Sequence, residues 1–344
     1  MPNGDRVATW QPQTSILAAV ARSAEEWKSL VGHSGDRAVV TIGNFDGVHL
    51  GHQKILRSVV EYASHRQSEV HPTALLPSVL SFYPHPARVL RPELAPPLLM
   101  TLDQRIAAFD AAGIRAVLVL PFDRALSQVS AEDFAQRYLV ETLRARAVLV
   151  GTNFRFGHRH AGDISLLRRL GERWDFEVRI VPPFSLDGQL VSSSAIRQAV
   201  SEGRVDFAAR LLGRPYALAG EIRPGSGQGR KLVVPTLNLA TEQELLPKFG
   251  VYATEVTLDG KLYRAATNVG MRPTFDGTHT TVESHLLDFS EDRTSGPIEV
   301  RFCVRVRDEQ KFPGPQALRE QILKDIKQVR EYFQTAGSSV KQNS

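Results

Sequence analysis

Cysteine is almost missing from this chain: Cys303 is the single one in 344 residues. One thiol makes no internal disulfide and no cysteine-based zinc cluster, which excludes a disulfide-stapled secreted scaffold and a structural zinc site. Long apolar runs are lacking too, and the opening MPNGDRVATWQPQ has no basic-then-apolar pattern. Neither a membrane span nor a secretory signal is therefore expected, and a cytoplasmic location is. Charge of one sign is nowhere concentrated: 42 Lys and Arg against 37 Asp and Glu give a net charge of +5 with no basic tail. Aromatic residues make up 8% of the chain and do not cluster as they do on base-stacking platforms. The positive excess suits either nucleic acid or small polyphosphates, and the even spread of Lys and Arg favours the second. No internal repeat is present.

What is there suits two domains, each long enough to bury a core. From residue 38 to about 200, strand-like and helix-like segments alternate, the pattern of a mostly parallel sheet covered by helices. Strands are expected at Ala38 to Ile42, Ala74 to Tyr83, Arg115 to Leu120, Arg146 to Gly151 and Phe176 to Val181. Helices fall between them, one of them capped by Ser130. An amphipathic helix is expected over Ser15 to Leu30. Beyond Gly203 a short helix, Val205 to Leu212, leads into period-two alternation with turn glycines, the texture of a β-barrel. In its last strand Val300, Phe302, Val304 and Val306 form one apolar face. A closing helix from Pro315 to about Phe333 presents Leu318, Ile322, Ile326 and Val329 to the barrel. The expected division is an N-terminal extension over 1–35, an α/β domain over 36–203, a barrel domain over 204–335 and a disordered tail over 336–344.

The string GNFDGVHLGH, Gly43 to His52, joins the end of the first strand to a helix start. His49 and His52 share one face of that first turn, where free backbone N–H groups and the helix dipole favour an anion. Two imidazoles there suit charge building on an α-phosphate as pyrophosphate leaves. Otherwise Gly43 and Gly47 only shape a turn and the histidines cap the helix. VGTNFRFGHRHAGD, Val150 to Asp163, places Asn153 where a strand emerges, either in a binding loop or in a solvated basic loop; Asp163 can cap the next helix. VSSSAIRQAV, Val191 to Val200, opens a helix with hydroxyls, and Arg197 is suited to hold a polyphosphate. SFYPHPARVL carries Phe82, His85 and Pro86 in a proline-stiffened loop with an aromatic surface. RPGSGQGRKLVVPTLNL sets Gly225, Gly227 and Gly229 before Thr236 and Asn238. These glycines let backbone N–H groups approach phosphates, and the two hard oxygen ligands on one strand face suit Mg²⁺.

GNFDGVHLGH resembles the ATP-binding motif of the HIGH nucleotidyltransferase superfamily, and its lead-in resembles the bacterial bifunctional riboflavin kinase/FAD synthetases. The resemblance covers roughly residues 36 to 335, taking in NFRFG, the SSSAIR helix start, the PTLN string, VGMRPTF and TVESHLLDF. It implies an α/β fold: a Rossmann-like nucleotidyltransferase domain, then a small antiparallel β-barrel kinase domain with a C-terminal helix. Riboflavin would be phosphorylated with ATP to FMN in the barrel, and FMN adenylylated to FAD in the α/β domain. Carried over residue by residue, His49 and His52 act in adenylyl transfer, while Gly43, Phe45, Asp46, Ser193, Ser194 and Arg197 hold its nucleotide. Phe82, His85, Pro86 and Asn153 seat its flavin. In the kinase, Gly225, Gly227, Gly229 and Lys231 hold nucleotide, Thr236 and Asn238 serve Mg²⁺, and Glu283 is the base. The implied partners are ATP, riboflavin and FMN, with no nucleic acid or membrane.

The chain departs from the family pattern in three places. Ser194 stands for the usual threonine, Val233 and Val234 for a glycine and an aromatic residue, and SEDRTSG for the usual Tyr-Gly after LDF. An adenylyltransferase with an inactive barrel, and a basic protein using the barrel as a nucleic-acid platform, are the competing readings. Retention of Thr236, Asn238 and Glu283 disfavours the first, and the dispersed charge disfavours the second.

Overall fold

The computed structural model describes residues 19–31, 36–66, 75–224, 234–274, 277–291 and 293–341. They form two compact units: one holds the residues up to Pro96 together with Met100–Ser192, the other Pro97–Leu99 and the chain from Ser193 onward.

In the first unit, short apolar runs become β1 (Ala19–Ala21), β2 (Arg37–Ile42), β3 (Leu75–Tyr83), β4 (Ala116–Pro121), β5 (Ala147–Gly151) and β6 (Glu177–Val181). They pair in parallel throughout, in the order β1-β4-β3-β2-β5-β6. Parallel neighbours need crossovers. These are α1 (Ala24–Val31), α2 (Leu50–Arg66), α3 (Pro86–Leu90), α4 (Leu102–Ala111), α5 (Arg124–Ser127), α6 (Ala131–Phe134) and α7 (Ile164–Trp174), and α6 runs on as a wider helix over Ala135–Thr142. Thr101 and Gln104 form a reciprocal capping box on α4, and Ser130 and Asp163 each accept a backbone N–H three residues on. Val39, Val40, Val117, Leu118 and Val148 are fully buried, as strands covered on both faces require. A hairpin of β7 (Ser185–Leu186) and β8 (Gln189–Leu190) ends the unit.

The helix expected over Ser15 to Leu30 starts only at Ala24; residues 15–18 lie outside the described residues. Ala19–Ala21 instead pairs with β4, Ala19 facing Ala116, and Ser23 accepts the Glu26 N–H at 3.1 Å to start α1. A sheet edge offers small extended residues a row of backbone partners that helical spacing alone does not outweigh. Part of the supposed N-terminal extension is thus an edge strand of the sheet.

β2 is the pivot of the topology. From it the chain builds β3 and β4 on one side, then returns to place β5 and β6 on the other. In such sheets the ligand crevice lies beyond the carboxyl ends of the two strands where direction reverses. Here those are β2 and β5, paired from Val39–Ala147 to Thr41–Leu149, and both polar motifs follow directly.

The second unit opens with α8 (Ser193–Ser201) and α9 (Val205–Leu212), then β9 (Tyr216–Arg223), β10 (Leu237–Ala240), β11 (Gly250–Leu258), β12 (Lys261–Thr274), β13 (Gly277–Leu286) and β14 (Pro297–Asp308). The strands close an antiparallel barrel in the order β10-β13-β12-β11-β14-β9. α8 groups with the barrel because Ile196, Ala199 and Val200 are buried and Val200 O accepts the Lys248 N–H at 3.3 Å. The apolar face expected from Val300 to Val306 is split. Thr254 faces Phe302 while Ala253 faces Val304, so Cys303 is an extra residue that turns the strand. Val300 and Phe302 are fully buried, whereas Val304 and Val306 join Val329 and Phe333 of the closing helix. Burial there pushes the Cys303 thiol up to about 12, which keeps it protonated at neutral pH.

That closing helix, α10 (Pro315–Lys341), runs past Phe333 into the expected tail, because a helix nucleated on the barrel extends at one hydrogen bond per residue. Val329 is buried and Leu318, Ile322 and Ile326 are half-buried. Asp325, 3% exposed, receives Arg307 of β14 through Nε at 2.9 Å and Nη2 at 2.8 Å.

Candidate active sites

The Gly43–His49 turn leaves β2 under backbone constraint. Gly43 N–H donates to Leu80 O at 3.1 Å and Val48 N–H to Phe45 O at 3.1 Å. Phe45, Gly47 and Val48 have φ of 51°, 89° and 37°. Positive φ at two non-glycine residues in one turn is costly and occurs where a site needs it. The turn delivers His49 immediately before α2, where its carbonyl accepts the Gln53 N–H at 2.8 Å.

His49 Nδ1 accepts the backbone N–H of His52 at 3.2 Å. An acceptor Nδ1 on a neutral ring puts the proton on Nε2. Helix capping and phosphate chemistry, alternatives in the sequence, are thus compatible: one ring nitrogen caps α2 and the other carries the proton. The His52 ring stacks on His49 at 3.7 Å and 15°, and Phe45 meets it edge-on at 5.1 Å. Burial, then the neighbouring His49, hold His52 well below the usual imidazole value, so it is neutral. Its Nδ1 is buried without a hydrogen-bond partner. Gly51 leaves the His49 ring room in the stack, since a Cβ there would lie 3.1 Å from His49 Nδ1. Asp46, within the turn, is 5% exposed. A cavity of about 430 Å³ runs along α2 between Lys54 and Tyr62 and reaches Arg179 and Val181 of β6.

The expected flavin residues follow β3 and β5. Phe82 meets Phe122 edge-on at 5.7 Å and packs against the core, so its ring has a structural task. His85 Nδ1 accepts the Ala87 N–H at 3.2 Å, capping α3, whose first residue is Pro86. Asn153 is exposed in the turn after β5. Asp163 caps α7, accepting the Leu166 N–H at 2.9 Å. Ser193, Ser194 and Arg197 open α8 in the other unit, where Arg197 Nε donates to Pro97 O at 2.8 Å.

In the barrel, Glu283 of β13 stands directly across from Asn238 of β10 on one side and Asn268 of β12 on the other. Their neighbours Leu237, Leu239, Val282 and Ser284 are buried, so this polar row occupies the outer face. His285 Nδ1 donates to Pro235 O at 2.9 Å and pins the start of the Thr236–Asn238 segment. On the inner face Thr254, Thr267 and Ser284 hydroxyls link at 2.6 and 2.8 Å across β11, β12 and β13. Gly225, Gly227, Gly229 and Lys231 lie outside the described residues. Among the described residues no group of His, Cys, Asp and Glu forms a metal cage. The neutral oxygens of Thr236 and Asn238 beside one carboxylate match a magnesium ion held mostly by phosphate and water.

Two further residues border these sites without belonging to a motif read from the sequence. Asn268 lies inside TNVG, and strand pairing makes it a neighbour of Glu283. Arg105 is 3% exposed and donates through Nη1 to Asn44 O at 2.6 Å. Its signal was a charge on the buried face of α4, one turn before the buried Phe109.

The family model for FAD synthetase matches residues 33–195 and that for riboflavin kinase residues 212–333. The bifunctional riboflavin kinase/FMN adenylyltransferase of Haemophilus influenzae is 35% identical over 88% of this chain and 97% of its own. That of Pseudomonas fluorescens is 37% identical over 85% of this chain and 92% of its own. A solved structure described as the macrolide-efflux protein from Streptococcus pneumoniae aligns with TM-score 0.78 at 27% identity, over 92% of this chain and 99% of that one. Among the described residues no helix is long and apolar enough to cross a membrane. Two domain matches in order and relatives this similar along nearly their whole length mean that the chain belongs to the family of bifunctional riboflavin kinase/FMN adenylyltransferases.

Proposed function

We propose that the two activities have separate catalytic groups, those of adenylylation at the carboxyl ends of β2 and β5 and those of phosphorylation on the Glu283 face of the barrel. As a member of its family the chain phosphorylates riboflavin with ATP to FMN and adenylylates FMN to FAD with release of pyrophosphate. The observation that carries the division is the His49 geometry: an imidazole at the start of α2, fixed by its Nδ1 cap with the proton on Nε2.

In adenylylation an FMN phosphate oxygen attacks the α-phosphorus of ATP. His49 donates to the oxygen on which charge builds, and neutral His52 backs the ring by stacking, so neither histidine need change protonation. Gly43, Phe45 and Asp46 shape the turn that receives the nucleotide. Ser193, Ser194 and Arg197 hold the triphosphate, an assignment resting on the family motif. Asn153 and the Phe82, His85 and Pro86 segment seat the flavin. In phosphorylation Glu283 accepts the proton of the ribityl hydroxyl as that oxygen attacks the γ-phosphorus. Asn238 and Thr236 would hold Mg²⁺, and Gly225, Gly227, Gly229 and Lys231 the phosphates. When bound, Mg²⁺ neutralises phosphate charge.

The enzyme is proposed to act in the cytoplasm on small-molecule substrates, without nucleic-acid or membrane partners. Incubating the purified chain with riboflavin, ATP and Mg²⁺ and separating the flavins tests the division. Wild type is expected to yield FAD, a His49 variant to stop at FMN, and a Glu283 variant to make FAD only from supplied FMN. A His49 variant that makes no FMN, or a Glu283 variant that makes no FAD from supplied FMN, would defeat it.

A further inference from the structure

Arg105 occupies a position where α4 calls for an apolar side chain. It and Phe109 are the buried residues of that helix, one turn apart. Burying a guanidinium is costly unless its partners compensate, and the partners here are sparse and specific. Nη1 donates to Asn44 O at 2.6 Å and to Ser81 Oγ at 3.4 Å, while Nε is buried with no partner. Asn44 lies between Gly43 and the positive-φ Phe45, at the root of the turn that presents His49. The buried Asp46 carboxylate and Tyr83 favour the charged guanidinium, although burial outweighs them and lowers its pKa from the usual value.

A side chain retained for packing would be better served by leucine or methionine, and one meant for substrate would be exposed. Arg105 is neither. We propose that Arg105 is a positioning residue for adenylylation: it grips the Asn44 carbonyl and offsets Asp46, fixing the Gly43–His49 turn and so the His49 imidazole. It acts through the backbone without touching ATP or FMN. This rests on the assignment of His49 to adenylylation.

The test compares Arg105→Met, which keeps bulk but loses charge and donors, with Arg105→Lys, which keeps the charge, in the full-length chain. kcat and KM for ATP and FMN are measured for adenylylation, with riboflavin phosphorylation normalising enzyme concentration. Misplacing a catalytic group by about 1 Å costs about 10²-fold, so Arg105→Met is expected to lose about that in kcat, with both KM values within about threefold. Arg105→Lys should return to within about tenfold of wild type. Wild-type kcat in Arg105→Met, or a loss confined to KM, overturns the proposal. So does equal loss in both variants accompanied by equally lowered melting temperatures, which is the mark of a merely structural residue. Should Arg105→Met fail to melt cooperatively, Arg105→Gln takes its place: reduced kcat at wild-type KM and melting supports the proposal, and wild-type kcat overturns it. His49→Ala run alongside separates the two readings, because its silence would remove the His49 assignment itself.

Discussion

His49 and His52 are bound to each other twice, by a 3.2 Å hydrogen bond from the His52 backbone N–H to His49 Nδ1 and by ring stacking at 3.7 Å. The first contact fixes which nitrogen of His49 carries the proton, and the second fixes the plane of its ring. His49→Ala should therefore lower adenylylation by about 10²- to 10³-fold, the cost of one preorganised transition-state contact, and leave riboflavin phosphorylation intact. His49→Asn separates cap from catalysis: asparagine can restore the helix cap, worth about 1 kcal/mol, but not the rate. An asparagine variant with wild-type FAD output would remove His49 from the mechanism.

Gly51→Ala sets local propensity against function. Alanine inside a helix is favoured by about 0.5–1 kcal/mol, yet its Cβ would lie 3.1 Å from the His49 ring. Adenylylation should fall by about tenfold or more while the thermal midpoint holds or rises, because a ring displaced by a few tenths of an ångström loses its alignment. Steady-state rates and a melt on one preparation check both halves; a faster or unchanged enzyme contradicts the steric reading.

Stability of the first unit should depend on pH through His52. Its folded pKa lies below the unfolded value of 6.5, so between the two the unfolded chain binds more protons and stability rises with pH. The contribution is complete above the unfolded value and is lost as pH falls from there toward the folded one. Melting midpoints should drop from pH 7.5 to pH 5, and His52→Asn should flatten that drop. Parallel slopes in the two proteins would mean that His52 is not the group responsible.

Across the barrel strands, Glu283→Gln should suppress FMN formation by about 10²- to 10⁴-fold if the carboxylate is the general base, with supplied FMN still converted to FAD. Asn268→Ala, which removes the side chain facing Glu283 on β12, should cost about tenfold if its amide orients the carboxylate. A normal kinase rate in the glutamine variant would leave Glu283 a strand residue of no chemical role.

A fragment of residues 193–335 should fold, melt cooperatively and make FMN but no FAD. One beginning at Ser201 should melt at least about 5 °C lower, because it lacks the buried Ile196, Ala199 and Val200. Both lose Leu99 O, which accepts from the buried Gln243 amide at 3.2 Å, so adding Gln243→Leu should cost the fragment less than it costs the full chain. A soluble, cooperatively melting 193–335 fragment that makes no FMN would show that the kinase needs the first unit.

The sequence by itself determined which chemistry this protein carries and the elements that bear it. GNFDGVHLGH, the SSSAIR helix start, PTLN and the Glu283 strand are local strings, and alternation of period two and 3.6 is a local property, so both are readable along the chain. Caps were legible for the same reason: Ser130 and Asp163 sit one turn from the N–H groups they accept. Tertiary structure decided what depends on partners distant in sequence. Ala19–Ala21 is a strand only because β4 leaves an edge open, and the bulge at Cys303 exists only in the register of β14 against β11. Arg105 meets Asn44 across 61 positions of chain, and Glu283 acquires Asn238 and Asn268 only once three strands align. Burial and cross-strand pairing are properties of the closed fold, and no spacing along the chain encodes them.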